Sequence, residues 1–361
     1  MRKLYRKAPL ILLTALIGPL TSCYTNFEPD LESTPVVCIN SLLKAGEKIK
    51  VEVTRTWRYT EGTPTVGLDI SLKDAIVYLY VNDELEEKLS FHQLSEDNDG
   101  WWNYPSNGVD CYFAAQYIPK SGDKIKIVAM DKTYGEASAE VTIPYPIEID
   151  DVKTKITKLD ASYDQTNDTY IADFEMMLSV KFTDPISISN YYIFDMQTSA
   201  SIFQHSEDEH YQQSVESIRI DPDYGFEPIF SEHISPLETI ITDAYGLYTV
   251  FSDRQISGNQ YSLEIPLSGS YRCDYRYHPE IDQKLNLNID LGHISTAYYN
   301  YMMSLWANTE GISGALGGVG LGDAVFEFSN VSTGAGIVAT QANSTYELDI
   351  REIVNQHINN D

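Results

Sequence analysis

One pattern recurs along this chain from about residue 36 onward. Apolar and polar residues alternate strictly in short runs, and each run is cut off by Gly, Pro, Asn or Asp. The clearest case has Leu285, Leu287, Ile289 and Leu291 alternating with Lys284, Asn286, Asn288 and Asp290. Successive side chains of a strand point to opposite faces, so such a run has one apolar face and one wet face. Further runs lie at 36–43, 48–55, 75–81, 124–128 and 137–143, with Ile49, Val51 and Val53 on one face of the second. A later set lies at 172–182, 191–196, 260–266 and 271–277. Ser121-Gly122-Asp123 supplies a turn between two of them.

Short strands at this spacing predict an all-β chain. The first set, about 110 residues, fits one immunoglobulin-like β-sandwich over 35–145. Ile143-Pro144-Tyr145-Pro146 then breaks the ladder, because prolines at this spacing do not sit inside a central strand. A domain boundary is placed there, with a second β-sandwich-like domain over 146–361. That domain is expected to carry one short helix near 295–308, where Tyr298, Tyr301, Met302, Leu305 and Trp306 fall at helical spacing. Ser295 or Thr296 can cap its start and Gly311 can stop it. Strands are expected after it at 324–328, 336–339 and 346–350.

The N-terminus has a different grammar. Arg2, Lys3, Arg6 and Lys7 precede an apolar run over 10–20, which ends in Leu20-Thr21-Ser22-Cys23. Basic, apolar and small residues in that order make a secretory signal peptide over 1–22. The run is too short to span a bilayer, and Pro9 and Pro19 bracket it. A cysteine directly after small residues resembles the lipobox of bacterial lipoproteins. In that resemblance Cys23 is the lipidated first residue of the mature chain. The alternative is an ordinary signal peptide followed by a chance cysteine. Residues 23–34 are polar, contain Pro29, and read as a tether between lipid and fold. Outer-membrane, cell-surface attachment is the expectation.

The net charge is −28, and losing the four cations of the signal peptide takes it to −32. That balance argues against nucleic acid, whose phosphates would be repelled. It serves solubility without implying a charge-specific partner. Tyrosine dominates the aromatics, with 26 Tyr against 12 Phe and 4 Trp, and suits half-wet sheet faces. Four cysteines leave Cys38, Cys111 and Cys273 once Cys23 is assigned to lipid. Cys38 and Cys111 can pair in an oxidising compartment, or each can be a buried thiol.

Several stretches invite a functional reading. Trp101-Trp102-Asn103-Tyr104 follows the turn at 95–100; an exposed Trp beside Tyr104 can stack on a sugar or a protein partner, or these rings can cover the sandwich end. Ser95-Glu96-Asp97-Asn98-Asp99-Gly100 partly imitates a calcium loop, but Ser106 stands where the twelfth-position Glu belongs. His205-Ser206-Glu207-Asp208-Glu209-His210, with Glu232 and His233 nearby in sequence, holds metal-ligand types without a recognised spacing, as a solvated acidic loop would too. The Gly-rich stretch 311–322 has a helix before it and a strand after it, the reverse of a phosphate loop. Gly-x-Ser-x-Gly, His-Glu-x-x-His and P-loop patterns are absent from the sequence, so no catalytic residue, enzyme class or cofactor is assigned.

A family resemblance spans nearly the whole mature chain. It rests on residues 36–43, on Phe182-Thr183-Asp184-Pro185 leading to Asn190-Tyr191-Tyr192, and on Phe251-Ser252-Asp253 leading to Ile256-Ser257-Gly258-Asn259-Gln260-Tyr261. Thr296-Ala297-Tyr298-Tyr299-Asn300-Tyr301 and Phe328-Ser329-Asn330-Val331, ending at Gly334-Ala335-Gly336-Ile337, continue it. In that order they resemble the Bacteroidota lipoprotein family known as domain of unknown function 4249. The resemblance implies no activity and no catalytic residues. It implies company with TonB-dependent outer-membrane β-barrel transporters. The expected function is therefore a binding or accessory component of nutrient uptake, contacting its partner or ligand through 97–104, 205–211 and 311–322. The alternatives are a free-standing lipoprotein that binds a glycan, peptide or other small molecule, and an adhesion or structural envelope protein.

Overall fold

The computed structural model describes residues 34–57, 70–93, 109, 111–166, 169–186, 189–203, 219–234, 249–274, 282–309, 311, 326–350 and 352–353. Its first eight strands are β1 (Val37–Lys44), β2 (Lys50–Arg55), β3 (Ile76–Val81), β4 (Glu84–Lys88), β5 (Ser90–Gln93), β6 (Cys111–Ala114), β7 (Lys124–Asp131) and β8 (Gly135–Thr142). β9 (Ile149–Asp164), β10 (Thr169–Thr183), β11 (Tyr191–Phe203), β12 (Arg219–Pro222), β13 (Val250–Ser252), β14 (Gln260–Asp274) and β15 (Asp282–Ile294) follow. Helix α1 (Thr296–Thr309) and β16 (Ala335–Asp349) complete the order. The all-β expectation with one short helix holds.

Period-two burial explains the first sandwich. β1 buries Val37, Ile39, Ser41 and Leu43, and β3 buries Val77, Leu79 and Val81. Those faces meet in a core that also takes Val51, Phe113, Ile125, Ile127, Ala137 and Ala139. The strand orders are β1-β2-β6-β5 on one side and β4-β3-β7-β8 on the other. First, second, sixth and fifth strands facing third, seventh and eighth is the division an immunoglobulin-like sandwich makes.

β1 does not end its sheet. β16 pairs with it in parallel, from Cys38 opposite Ala335 to Lys44 opposite Gln341. The sheet then runs on through β15 and β11 to β13, making eight strands in all. Its second half faces β12-β14-β10-β9 across another core, built from Phe174, Leu178, Phe182, Tyr192, Phe194, Phe251, Ile265 and Leu291 among others. β16 serves both cores. Val338 lies in the first, and Leu348, ten positions on and on the same face, packs against the second. Residues Pro35–Asp361 form one compact unit. The segment Pro144-Tyr145-Pro146 joins β8 to β9.

The end of the chain departs from the expected strands. Residues 326–328 of the anticipated 324–328 strand lie outside any strand, and the two later runs are a single strand, β16. Side chains meet the hydrogen-bond demand of 326–331 in place of a neighbouring strand. Phe328 N–H donates to Ser304 Oγ on α1 at 2.9 Å. The Asn330 amide both donates to the Val338 carbonyl (2.8 Å) and accepts from Val338 N–H (3.0 Å). The polar middle of β16 stays extended because β15 pairs with it, Ile294 opposite Gln341 through Asp290 opposite Thr345.

Helix α1 starts as its sequence requires. Ser295 Oγ accepts from Tyr298 N–H at 3.3 Å, and Gly311 N–H closes the far end on the Trp306 carbonyl. Trp306 is the helix's buried residue, and His233 stands edge-on to it with ring centres 4.7 Å apart.

Candidate functional site

Asp184, Asn190 and Tyr192 meet the distant stretch 253–258 around one buried carboxylate. Asp184 follows β10, is 1% exposed, and accepts from the Tyr192 hydroxyl, from Asn190 Nδ2 at 3.2 Å and from Gly258 N–H at 2.8 Å. Asn190 N–H in turn donates to Asp253 Oδ2 at 2.8 Å, and Asp253 N–H to the Asn190 carbonyl at 3.0 Å. Burial and the Asp184 carboxylate both push the Tyr192 phenol's pKa up, so it stays a donor. Aromatic rings wall the knot: Tyr192 lies 5.1 Å from Phe251 and 5.4 Å from Phe182, centre to centre. A carboxylate enclosed this way holds chain segments together and offers nothing to a reagent from solvent.

His293 borders the same knot. Its ring lies 5.7 Å from Tyr192, and Nδ1 is 2.7 Å from the Tyr145 carbonyl. A carbonyl only accepts, so Nδ1 carries the proton. Burial lowers the imidazole's pKa, against the opposing pull of Asp184 and Asp253. A second buried acid, Glu227, accepts from the Tyr261 hydroxyl (2.6 Å), from Glu264 N–H (2.8 Å) and from Ile229 N–H (3.3 Å). It fastens the 3₁₀ turn Pro228–Ser231 onto β14.

The other face of the large sheet carries a different group. Tyr112 on β6 has the His92 ring of β5 stacked on it at 5.3 Å and 11°, and Lys50 Nζ lies 5.3 Å from its centre. Glu52, Cys38 and Asn40 share this face, and Asn40 Nδ2 points at Cys38 Sγ. Burial raises the Cys38 thiol's pKa, and Glu52 and Glu327 add to the rise. Near α1, Tyr191 and Tyr299 stack at 4.4 Å, and burial and the Glu232 carboxylate push the Tyr299 phenol's pKa up.

A shallow groove of about 210 Å³ opens over Thr157, Glu175, Met177, Asp221, Pro266 and Ser268. It lies where β9 bulges against β10 between Glu175 and Met176. Two of its acids are already paired, Glu175 with Lys158 at 3.3 Å and Asp221 with Arg219 at 2.9 Å.

A family model described as Domain of unknown function (DUF4249) matches residues 24–347. The chain belongs to this family. No curated protein matches it. The stretches that carried the family resemblance are the ones that lock the fold. The segments around Asp184, Asn190-Tyr191-Tyr192, Asp253 and Gly258 make the buried knot, and Asn330 and Gly336 fix β16 beside β1. In this member, those residues of the DUF4249 stretches are structural.

The positions singled out in sequence fare differently. Cys23, Trp101, Trp102, Tyr104, His205 and His210 lie outside the described residues, as do 95–100 and 312–322. The bridge between Cys38 and Cys111 does not form. β2 lies between their strands, two strand spacings is about 9.6 Å, and a disulfide needs Cα atoms within about 7 Å. The two side chains also leave opposite faces, since Cys111 shares the face of core residue Phe113 while Cys38 alternates with Val37 and Ile39. Glu232 and His233 are engaged with Ser252 N–H and Trp306. Among the described residues, no three His, Cys, Asp or Glu side chains form a metal-holding group. Sequence reasoning missed the outer-face group because its members come from β1, β2, β5 and β6. The one local signal was alternation, which puts Lys50 and Glu52 on the wet face of β2.

Proposed function

We propose that this DUF4249 member is a lipid-anchored protein of the outer membrane, attached through Cys23, that serves as a binding or accessory component beside a TonB-dependent β-barrel transporter. The observation that carries the reading is the N-terminal order of basic residues, short apolar run, Thr21-Ser22 and Cys23. Two or three acyl chains anchor stably, because each buried CH₂ contributes about 0.8 kcal/mol. The first strand begins at Val37, fourteen residues after Cys23. No described helix is long and apolar enough to cross a membrane. Tethering near a transporter mouth raises effective concentration without any new contact.

The test is metabolic labelling with palmitate, followed by membrane fractionation and purification in mild detergent. The wild-type chain is expected to carry label and to bring down a β-barrel protein. Cys23→Ser is expected to lose the label and leave the membrane fraction. A labelled chain that never brings down a barrel favours the free-standing binding lipoprotein, the second reading, which the exposed aromatic and carboxylate group on β2, β5 and β6 supports.

A further inference from the structure

Glu52 occupies an unusual position for a carboxylate on a sheet face. Burial raises its pKa, yet among the described residues no hydrogen bond or ion pair reaches it. Lys50, two residues away on the same face, directs its ammonium to the Tyr112 ring instead. A half-buried acceptor with no donor among the described residues has capacity that an incoming group can fill.

The strand register sets what surrounds it. Asn40 lies opposite Glu52, His92 opposite Tyr112, and Lys50 opposite Ala114. One more step of the β2–β6 register puts Glu52 beside Tyr112. The row across four strands therefore reads His92, Tyr112, Glu52, Asn40. His92 is exposed and Tyr112 half-buried, so the part of the stacked pair open to solvent is chiefly the His92 ring. Within one side-chain length stand an acceptor (Glu52) and a donor (Lys50). Tyr301 of α1 and Glu327 close the Cys38 end of the row, near enough to feel each other's charge.

The charges select among ligands. An anion would meet Glu52 and Glu327. A cation would meet the Lys50 ammonium, which already lies over the Tyr112 ring. A neutral molecule with one apolar face and many hydroxyls satisfies the exposed ring, the acceptor and the donor together. We propose that this row is a binding site for a neutral saccharide, which packs against the exposed His92 ring while its hydroxyls donate to Glu52 and accept from Lys50. The inference rests on the binding role proposed above and names its ligand class.

Affinity electrophoresis of the full chain in mild detergent tests it, with starch, β-1,3-glucan, xylan or mannan in the gel. Polygalacturonate and chitosan serve as the anionic and cationic comparisons. At least one neutral polymer is expected to retard the protein. His92→Ala is expected to abolish the retardation, and Glu52→Gln to weaken it about tenfold, the worth of one hydrogen bond to a charged group. His92→Ala is expected to keep the wild-type melting curve, and Glu52→Gln to melt no earlier than wild type, since it removes a charge that burial disfavours. If Glu52→Gln melts early, His92→Ala, on an exposed edge strand, decides alone. Retardation by no neutral polymer, by the charged ones only, or undiminished in His92→Ala overturns the site. None of those results touches palmitate labelling or recovery of a barrel partner, so the saccharide site and the uptake role fail separately.

Discussion

Asp184 takes three donors in a site closed to water: Asn190 and Tyr192 from the stretch that leads into β11, and Gly258 from the turn before β14. Asp184→Ala leaves those donors buried without an acceptor, and the expected loss is about 3–5 kcal/mol, read from the urea unfolding midpoint. Asp184→Asn is expected to cost about 1–3 kcal/mol, because its amide nitrogen faces a donor where an acceptor stood. An Asp184→Ala midpoint within error of the wild type would remove the knot from any account of the fold. His293 supplies a pH dependence with a definite sign. Its folded pKa lies below the ordinary value of about 6.5, so the unfolded chain binds the proton first. Stability from this group is full above that value and declines as pH falls below it. Melting temperature is expected to drop between pH 7 and pH 5, and His293→Gln to flatten that part of the profile. Glu52, with its raised pKa, acts in the opposite sense, so the difference between wild type and His293→Gln is the quantity to read. At this scale little was legible in advance. Thr183-Asp184-Pro185 reads as a turn in sequence, and a turn carboxylate is ordinarily wet; only the fold brings Tyr192 and Gly258 to it.

Elements were far more legible where one face is buried and the other is not. The runs at 48–55, 75–81, 124–128, 172–182 and 260–266 all lie within or overlap β2, β3, β7, β10 and β14. β4, β5 and β12 escaped because they are short edge strands whose residues are mostly exposed, so no alternation marks them. β9 escaped for a related reason. It is a long edge strand with Lys153, Lys155 and Lys158 among its residues, a pattern that blunts an edge against unwanted pairing and dilutes the apolar signal. Helix α1 was legible through its cap and its aromatic spacing, within one residue at each end. The parallel pairing of β1 with β16 depends on Gly336, whose φ is +102° and whose missing Cβ would sit 2.3 Å from the Ile39 carbonyl oxygen. Gly336→Ala therefore meets both a disfavoured backbone region and a main-chain atom that cannot move aside. The expected cost is about 2–4 kcal/mol in chemical denaturation, with most of it from the clash. An alanine tolerated there would show that the two strands can separate without loss.

The whole molecule is organised by a sheet that neither half of the chain completes alone. Local patterns placed a break at Pro144-Tyr145-Pro146, and the apolar side chains do sort into two clusters, one after it and one before it that Val331 and Val338 also join. What local patterns do not encode is the return of β16 across nearly 300 residues to the open edge of β1, with Val338 entering the first core. That pairing has consequences for unfolding. If the first sandwich opened while the second stayed intact, β16 would lose β1 and expose Val338 while still paired to β15. If the second opened first, β1 would keep a partner strand with nothing holding its far side. Neither half-open state retains its share of the eight-stranded sheet, so the two cores are expected to unfold together. Calorimetry of the Cys23→Ser chain is expected to show one transition, with equal calorimetric and van't Hoff enthalpies. Hydrogen exchange gives the sharper check. Asp184→Ala lies in the second half, yet it is expected to lower protection of the β7 amides, deep in the first core, by the same free energy as it lowers protection of β10. Amides of β7 that keep their wild-type protection while β10 loses its own would mean that the shared strands transmit nothing, and that the sheet joins two independently stable sandwiches.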